Sequence, residues 1–130
     1  MRAVDTNVLV RLLTRDDAKQ VRMAEAFAAK GAWVSHLALA EATWVLASVY
    51  DRGPDAIATA VEMLISHEHL TLQDEDTVAA AVRQFRRRPV VGFSDCLMVE
   101  IARKAGHGPL ATFDKELERI DGAQRLTAQR

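Results

Sequence analysis

The 130-residue sequence contains one cysteine, three prolines and six glycines, and aromatic residues make up only 5% of it. A single cysteine, Cys96, excludes an intramolecular disulfide and is typical of a reducing compartment. No run approaches the roughly 18 apolar residues of a transmembrane helix. Asp5 interrupts the apolar stretch that a signal peptide would need. These absences predict a soluble, cytoplasmic protein with no membrane partner.

Neither sign of charge dominates, because 17 basic residues face 18 acidic ones and the formal net charge is -1. That balance argues against a protein held on nucleic acid by bulk positive charge. Hydrophobic residues make up 49% and charged residues 27%, which is typical of globular proteins rather than disordered ones. A chain of this length has room for one buried core, so we expect a single domain over residues 1–130.

Apolar segments and helix breakers alternate along the whole chain. The pattern predicts short strands at residues 3–4, 33–35, 70–72, 109–112 and 125–127. It predicts helices at residues 8–13, 16–30, 37–50, 55–66, 74–88, 94–105 and 115–120, the first of them capped by Thr6 or Asn7. Strands that alternate with helices indicate an α/β fold with a parallel sheet, whose ligand site lies at the carboxyl ends of the strands.

Glu41 is the acidic residue that is hardest to explain by local structure. In the helix at 37–50 it shares a face with Leu37, Trp44, Val45 and Ser48, so we expect it within an apolar stripe, with Trp44 in the core. An ionised carboxylate there needs a proton, a basic partner or a cation, because burying it alone costs several kcal/mol. A salt bridge to an arginine is the structural alternative.

Three further acids occupy the ends of predicted elements. Asp5 and Asp114 follow short strands, and Asp95 lies in the first turn of a helix beside Met98 and Val99. Each of the three has a structural alternative as a helix cap or turn residue. Considered together with Glu41, they indicate a site for a hard cation, since Mg²⁺ and Mn²⁺ prefer carboxylate oxygens.

The four acids lie in segments that resemble those of a known family. The segments Asp5–Asn7, Leu39–Glu41, Asp95–Leu97 and Thr112–Lys115 come in the order and approximate spacing of the PIN-domain ribonucleases. The likeness is closest to the VapC-type toxins of bacterial toxin-antitoxin pairs. It covers essentially the whole chain, and four motifs in order are far more specific than any one of them.

The resemblance implies a three-layer α/β/α domain with a central, mostly parallel sheet of four or five strands. It also implies an endoribonuclease that holds one or two Mg²⁺ or Mn²⁺ ions on clustered acids. Asp5, Glu41 and Asp95 match the three acids expected throughout the family, and Asp114 matches the more variable fourth. The polar residues that match supporting positions beside these acids are Thr6, Asn7 and Thr112.

The chemistry of RNA hydrolysis is consistent with such a site. Two bound metals about 4 Å apart can activate water, neutralise the phosphoryl oxygens and stabilise the leaving oxygen. The protein then has to supply carboxylates rather than a nucleophile. Cys96 lacks a recognisable base and is interpreted as a small core residue.

The expected partners are an RNA substrate and, from the resemblance, an inhibitory antitoxin and a second copy in a homodimer. Apolar helix positions such as Val61, Leu64 and Ile65 could serve as a dimer seam or as core. Five arginines are candidates for RNA or antitoxin contact: Arg11, Arg15, Arg86, Arg87 and Arg88. For the last three, at a helix C-terminus, compensation of the helix dipole is the alternative.

Two other functions remain open at this point. A non-catalytic module with the PIN fold, bound to an RNA-processing assembly, would keep the fold without the activity. An aspartyl phosphoryl-transfer domain would use Asp5 as a nucleophile, although Asn7 stands where such a domain has a second acid.

Overall fold

The computed structural model describes residues 1–128 and divides into two compact units. The N-terminal unit is Met1–Glu75, and the C-terminal unit begins at Asp76. The described chain forms five β-strands and six α-helices.

A parallel three-stranded sheet organises the N-terminal unit. Its strands are β1 (Arg2–Ala3), β2 (Ala32–Val34) and β3 (Leu70–Leu72), hydrogen-bonded in the order β1-β2-β3. Ala32 of the central strand pairs with Arg2 on one side and with Leu70 on the other. Parallel neighbours need crossover connections, and helices supply them.

The helices of this unit begin where the sequence provides capping groups. They are α1 (Thr6–Thr14), α2 (Ala18–Ala28), α3 (His36–Ser48) and α4 (Pro54–Ser66). Asp5, Asp17 and Ser35 each accept a hydrogen bond from a backbone N–H in the first turn of the helix that follows. In α4 the same end carries Pro54, which has no N–H to satisfy. The first and third helices thus start directly after β1 and β2.

The C-terminal unit is built around two helices and a parallel strand pair. Its helices are α5 (Glu75–Arg87), which begins at the last residue of the N-terminal unit, and α6 (Phe93–Lys104), and its strands are β4 (Leu110–Thr112) and β5 (Ala123–Arg125). Leu110 pairs with Ala123 and Thr112 pairs with Arg125. Short 3₁₀ turns at Pro89–Val91 and Leu117–Arg119 complete the unit.

A buried carboxylate, Glu100 of α6, connects three parts of the C-terminal unit. Arg103 donates to it through Nε at 3.1 Å and through Nη2 at 3.4 Å, and Gln84 of α5 donates at 3.3 Å. Both donors also bind the backbone carbonyl of Asp121, ahead of β5. The cluster therefore satisfies a charge that would otherwise be costly to bury.

Gly122 follows this cluster at a crowded point. Its φ of +101° is one that side chains rarely adopt, and a Cβ there would lie 2.9 Å from Val99 Cγ1 and 2.5 Å from Arg103 Nη2. Its carbonyl accepts a 2.8 Å hydrogen bond from Leu110 at the start of β4. A residue without a side chain is thus required where β5 approaches α6.

The α/β class with parallel strands, predicted from the sequence, is confirmed. The described residues form five strands, hydrogen-bonded as a three-stranded sheet and a two-stranded sheet, where a single central sheet of four or five strands was expected. The predicted cap of α1 was wrong: Asp5 is the cap, and Thr6 and Asn7 are the first two residues of the helix. The helix predicted at 115–120 is only the 3₁₀ turn Leu117–Arg119, and the last strand lies two residues earlier than expected. Val61 and Leu64 are buried within the chain, so these two positions belong to the core rather than to a dimer seam.

Candidate active site

Asp5 stands at the carboxyl end of β1, where the chain turns into α1. Its Oδ1 accepts a 3.2 Å hydrogen bond from the backbone N–H of Val8, and the side chain is exposed. The carboxylate thus combines a capping role with access to solvent. The capping role accounts for only one of the two carboxylate oxygens of Asp5.

Glu41 lies in the second turn of α3 and is exposed. Its Oε2 accepts a 2.8 Å hydrogen bond from Thr6 Oγ1, the residue directly after Asp5. Because α1 and α3 follow neighbouring parallel strands, their N-terminal turns lie at the same edge of the sheet. The structure therefore links two of the predicted segments in the N-terminal unit.

The predicted environment of Glu41 and Trp44 was wrong. The face that carries Leu37, Glu41 and Trp44 points to solvent, and Trp44 retains 65% of its exposure. The buried face of α3 consists mostly of smaller side chains: Ala38, Leu39, Ala42, Thr43 and Leu46. Small residues allow α1 to pack closely against α3, so the bulky stripe is turned outward.

Asp95 and Asp114 belong to the C-terminal unit. Asp95 lies in the first turn of α6 and is half-buried, whereas Asp114 is exposed after β4. Burial raises the pKa of Asp95 above its ordinary value, and the negative charge of Asp114 raises it further. The two carboxylates are thus close enough to repel each other.

Thr112 and Asp114 form a short hydrogen-bonded turn. The N–H of Asp114 donates to Thr112 Oγ1 at 3.0 Å, and Asp114 Oδ1 accepts from the N–H of Glu116 at 2.8 Å. Thr112 therefore orients the backbone that carries Asp114. Between them, Phe113 is 80% exposed.

Within residues 1–128, no salt bridge neutralises the four acids. Among the described residues, none of Asp5, Glu41, Asp95 and Asp114 forms an ion pair with arginine, lysine or histidine. The salt bridge considered for Glu41 is therefore not formed in the part of the chain that the structure describes.

Each unit holds two of the four carboxylates. Within residues 1–75, and separately within residues 76–128, no three His, Cys, Asp or Glu side chains come together as a metal-binding group. The donors nevertheless suit a hard divalent cation, since all are carboxylates and a cation would relieve the repulsion between Asp95 and Asp114. The residues present fit Mg²⁺ or Mn²⁺ in donor type and in charge.

Arg11 is engaged in a hydrogen-bonded network that the sequence did not reveal. Its Nη1 donates to Asp16 Oδ1 and to the Tyr50 hydroxyl, both at 3.1 Å, and its Nε donates to Gln20. The Tyr50 hydroxyl in turn donates to Asp16 Oδ2 at 2.8 Å. These bonds raise the pKa of Arg11 and lower that of Asp16, with the bond to Tyr50 as the largest cause in both. Arg11 of α1 thus contacts Asp16 just after α1, Gln20 of α2 and Tyr50 just after α3.

The other candidate arginines lie at the surface. Arg15 pairs with Glu25 at 3.3 Å and lines an open groove of about 780 Å³ whose apolar lining includes Leu12, Leu13 and Met63. Arg86, Arg87 and Arg88 are all exposed at the end of α5 and just beyond it. Asn7 is exposed in the first turn of α1.

Cys96 is fully buried next to Asp95. Burial raises the pKa of its thiol to about 12, and the charges of Asp95 and Glu100 contribute. Since the thiolate is the reactive form, Cys96 is not a nucleophile at neutral pH. Its interpretation as a core residue is confirmed.

Comparison with known proteins identifies the family. The model of the PIN domain matches residues 2–123. The chain therefore belongs to the PIN domain family, whose fold is generally that of a metal-dependent nuclease. A search of proteins with curated function gives no match. Among the described residues, no helix has the length and apolar character to cross a bilayer.

Proposed function

We propose that this PIN-domain protein is a metal-dependent endoribonuclease that cleaves single-stranded or structured RNA. In the same proposal it acts in the cytoplasm as the VapC-type toxin of a type II toxin-antitoxin pair. The observation that supports the nuclease best is that all four motif acids are present and that, within residues 1–128, none forms an ion pair with a basic side chain. A bound cation would also relieve the repulsion between Asp95 and Asp114.

In this proposal Asp5, Glu41, Asp95 and Asp114 supply the oxygens that hold Mg²⁺ or Mn²⁺. The bound metal would activate water and neutralise charge on the phosphodiester. Thr6 holds the Glu41 carboxylate in one orientation through its 2.8 Å hydrogen bond. In the same way Thr112 fixes the backbone at Asp114. The residues 1–130 would act as one domain, with both units contributing acids.

RNA binding should depend on the metal. Without cations the four carboxylates repel phosphate, and the chain as a whole has no positive excess to compensate. Once cations neutralise the acids, the basic residues outnumber the remaining acidic ones. Tight RNA binding in EDTA would contradict this part of the proposal.

The decisive experiment compares metal binding and cleavage in the same samples. Purified wild-type protein, free of antitoxin, should bind Mn²⁺ by calorimetry and create new ends in a mixed RNA pool. Asp95→Asn should lose both properties. The matched control is Asp51→Asn, because Asp51 is an exposed acid with a positive φ that asparagine tolerates well.

Three outcomes would count against the proposal. The mechanism would be contradicted if the Asp95→Asn protein cleaved RNA at the wild-type rate once contaminating nuclease had been excluded. Wild-type protein that binds no Mn²⁺ would favour a non-catalytic PIN module. Trapping of a phosphorylated Asp5 would favour phosphoryl transfer.

The biological role needs separate tests. Expression of the wild type should arrest growth and produce new RNA ends, whereas Asp5→Asn should do neither. Growth arrest without new RNA ends would argue against RNA cleavage as the cause. The antitoxin is proposed to bind in the groove of the toxin that Arg15 lines. Arg15→Glu should therefore weaken co-purification with the antitoxin.

A homodimer is proposed as the active state, and light scattering of the purified chain tests it.

A further inference from the structure

Trp44 is the most exposed aromatic side chain of the N-terminal unit. It retains 65% of its exposure, although aromatic residues are usually at least half-buried. The other aromatics of the unit are engaged: Arg2 covers the Phe27 ring at 4.4 Å, Trp33 is half-buried in β2, and Tyr50 is hydrogen-bonded. The free indole face of Trp44 is therefore available to a ligand.

The position of Trp44 relative to Glu41 suggests which ligand that is. Trp44 follows Glu41 by three residues on α3, so their Cβ atoms lie about 5 to 6 Å apart on one helix face. Glu41 is a proposed metal ligand, and a phosphodiester held by the metal would bring its attached nucleotides next to this face. Ser48, one turn further on, is small and exposed.

The charges of α3 and of the N-terminal unit do not favour an electrostatic contact with RNA. No lysine or arginine occurs in α3, and Glu41 is its one acidic residue. Residues 1–75 contain seven basic and eleven acidic residues. An RNA strand at this face must therefore gain affinity from its bases rather than from its phosphates, and stacking on an aromatic ring is the usual means.

We propose that Trp44 is a substrate-binding residue whose indole stacks on an unpaired base next to the phosphodiester that is cut. The inference rests on the proposed ribonuclease function and adds a substrate-binding residue to it: the base that contacts Trp44 must be unpaired. A paired base presents no free face, so duplex RNA should bind poorly here.

Kinetics of Trp44→Leu and Trp44→Phe on a single-stranded RNA oligonucleotide test the role. Leucine keeps the apolar bulk but removes the π face, so KM should rise about tenfold, within the range for one stacked base. The value of kcat should change little, because stacking binds the ground state and the transition state alike. Trp44→Phe should recover most of the affinity. A Trp44→Leu protein with unchanged KM would overturn the proposal.

Leu37→Ala is the matched control. Leu37 lies on the same face, four residues before Glu41, and is 70% exposed. If the face simply attracts apolar surface, Leu37→Ala and Trp44→Leu should raise KM equally, which would contradict stacking. The tenfold effect of Trp44→Leu should also be independent of salt, since no ionic contact is lost.

An abasic scan identifies the base. Substrates with one abasic nucleotide at each position in turn should show one position at which wild-type KM rises about tenfold. At that position Trp44→Leu should lose nothing more, because the removed base and the removed ring belong to one contact. Equal losses for both proteins at every position would overturn the proposal.

A binding measurement separates this inference from the ribonuclease proposal. In a Trp33→Phe background Trp44 is the sole tryptophan, and its fluorescence is read in Mg²⁺ within seconds of mixing with single-stranded RNA. Quenching by the single strand but not by a matched duplex supports stacking even if no cleavage occurs. Absence of quenching refutes stacking even if the wild type cleaves RNA.

A second copy of the chain is the competing occupant of this face. Light scattering should give the same oligomeric state for wild type, Trp44→Leu and Leu37→Ala. If Trp44→Leu dissociates an oligomer, and its loss of activity is restored by high protein concentration, the ring belongs to a protein interface and the proposal is wrong.

Discussion

Thr6 Oγ1 donates a 2.8 Å hydrogen bond to Glu41 Oε2 and so joins the first turn of α1 to the second turn of α3. This bond fixes a carboxylate that is otherwise free in solvent. Groups that orient metal ligands contribute about 10- to 100-fold to metal affinity or activity.

Thr6→Val should therefore lower RNA cleavage and Mn²⁺ affinity by about tenfold. The free energy of unfolding should change by about 1 kcal/mol or less, because the lost bond is exposed. Thr6→Ser keeps the hydroxyl and should keep the activity. Thr71→Val, at an exposed position of β3, is the control for the effect of a threonine-to-valine change away from the proposed site. Equal activity of Thr6→Val and wild type would show that Glu41 needs no orienting group.

Asp5 combines two roles that substitution can separate. Asparagine caps a helix about as well as aspartate, whereas alanine costs about 1 kcal/mol at such a position. Asp5→Asn should therefore unfold in urea at the wild-type midpoint and yet cleave no RNA. Asp5→Ala should be inactive and less stable by about 1 kcal/mol. An active Asp5→Asn protein would reduce Asp5 to a helix cap.

Arg103 should matter for stability although it is half-exposed. Its removal leaves the buried Glu100 with Gln84 as its remaining donor, and an incompletely compensated buried charge is costly. We expect Arg103→Ala to lower the free energy of unfolding in urea by about 2 kcal/mol, below the full value for a buried pair because Arg103 reaches solvent. Arg119→Ala breaks an exposed pair at 3.7 Å and should cost less than about 0.5 kcal/mol. Equal effects of both variants would contradict this account.

Cys96 should make the free energy of unfolding depend on pH in the alkaline range. Its pKa is about 12 in the folded protein against an ordinary value of 9.0, so between these values the unfolded chain loses the thiol proton and the folded chain keeps it. The free energy of unfolding should therefore fall as pH rises from about 9. Cys96→Ala lacks this contribution, and its urea unfolding should show a shallower decline over the same range. A difference between the two proteins that is constant with pH would contradict the raised pKa.

Arg86, Arg87 and Arg88 offer the structure's most concentrated exposed positive charge, although Arg86 has a partner within the chain. If they contact phosphates, reversing all three to glutamate should weaken RNA binding and reduce the slope of log affinity against log salt by about 2. The measurement is a salt titration of fluorescence anisotropy in Mg²⁺. An unchanged slope would leave these residues with only the helix-end role.

The elements were predictable because their signals are local. Strand β3 has the predicted bounds, and α4 begins one residue before and α5 one residue after the predicted start. Caps, glycines and prolines act within a few residues, so the sequence contains the whole signal. The four motif acids could be proposed from the sequence for the same reason, because each belongs to a short segment.

The orientation of α3 was not predictable from its periodicity. Apolar residues occur on both of its faces, and the pattern alone favours burial of Trp44, the bulkier side chain. Which face is buried depends on how closely α1 approaches, a property of another segment of the chain. The Arg11–Tyr50 bond was hidden for the same reason, since 39 residues separate its partners.

Activity should also depend on Gly122, a residue that has no side chain and cannot bind a metal through one. Any side chain there would displace Arg103 from Glu100 and disturb the bond from Leu110 that sets the start of β4, three residues before Phe113. A genetic selection for inactive chains should therefore recover substitutions at residue 122 alongside those of the four acids. Such variants would keep every proposed ligand in the sequence. They would lose function because the backbone that carries Asp114 is displaced.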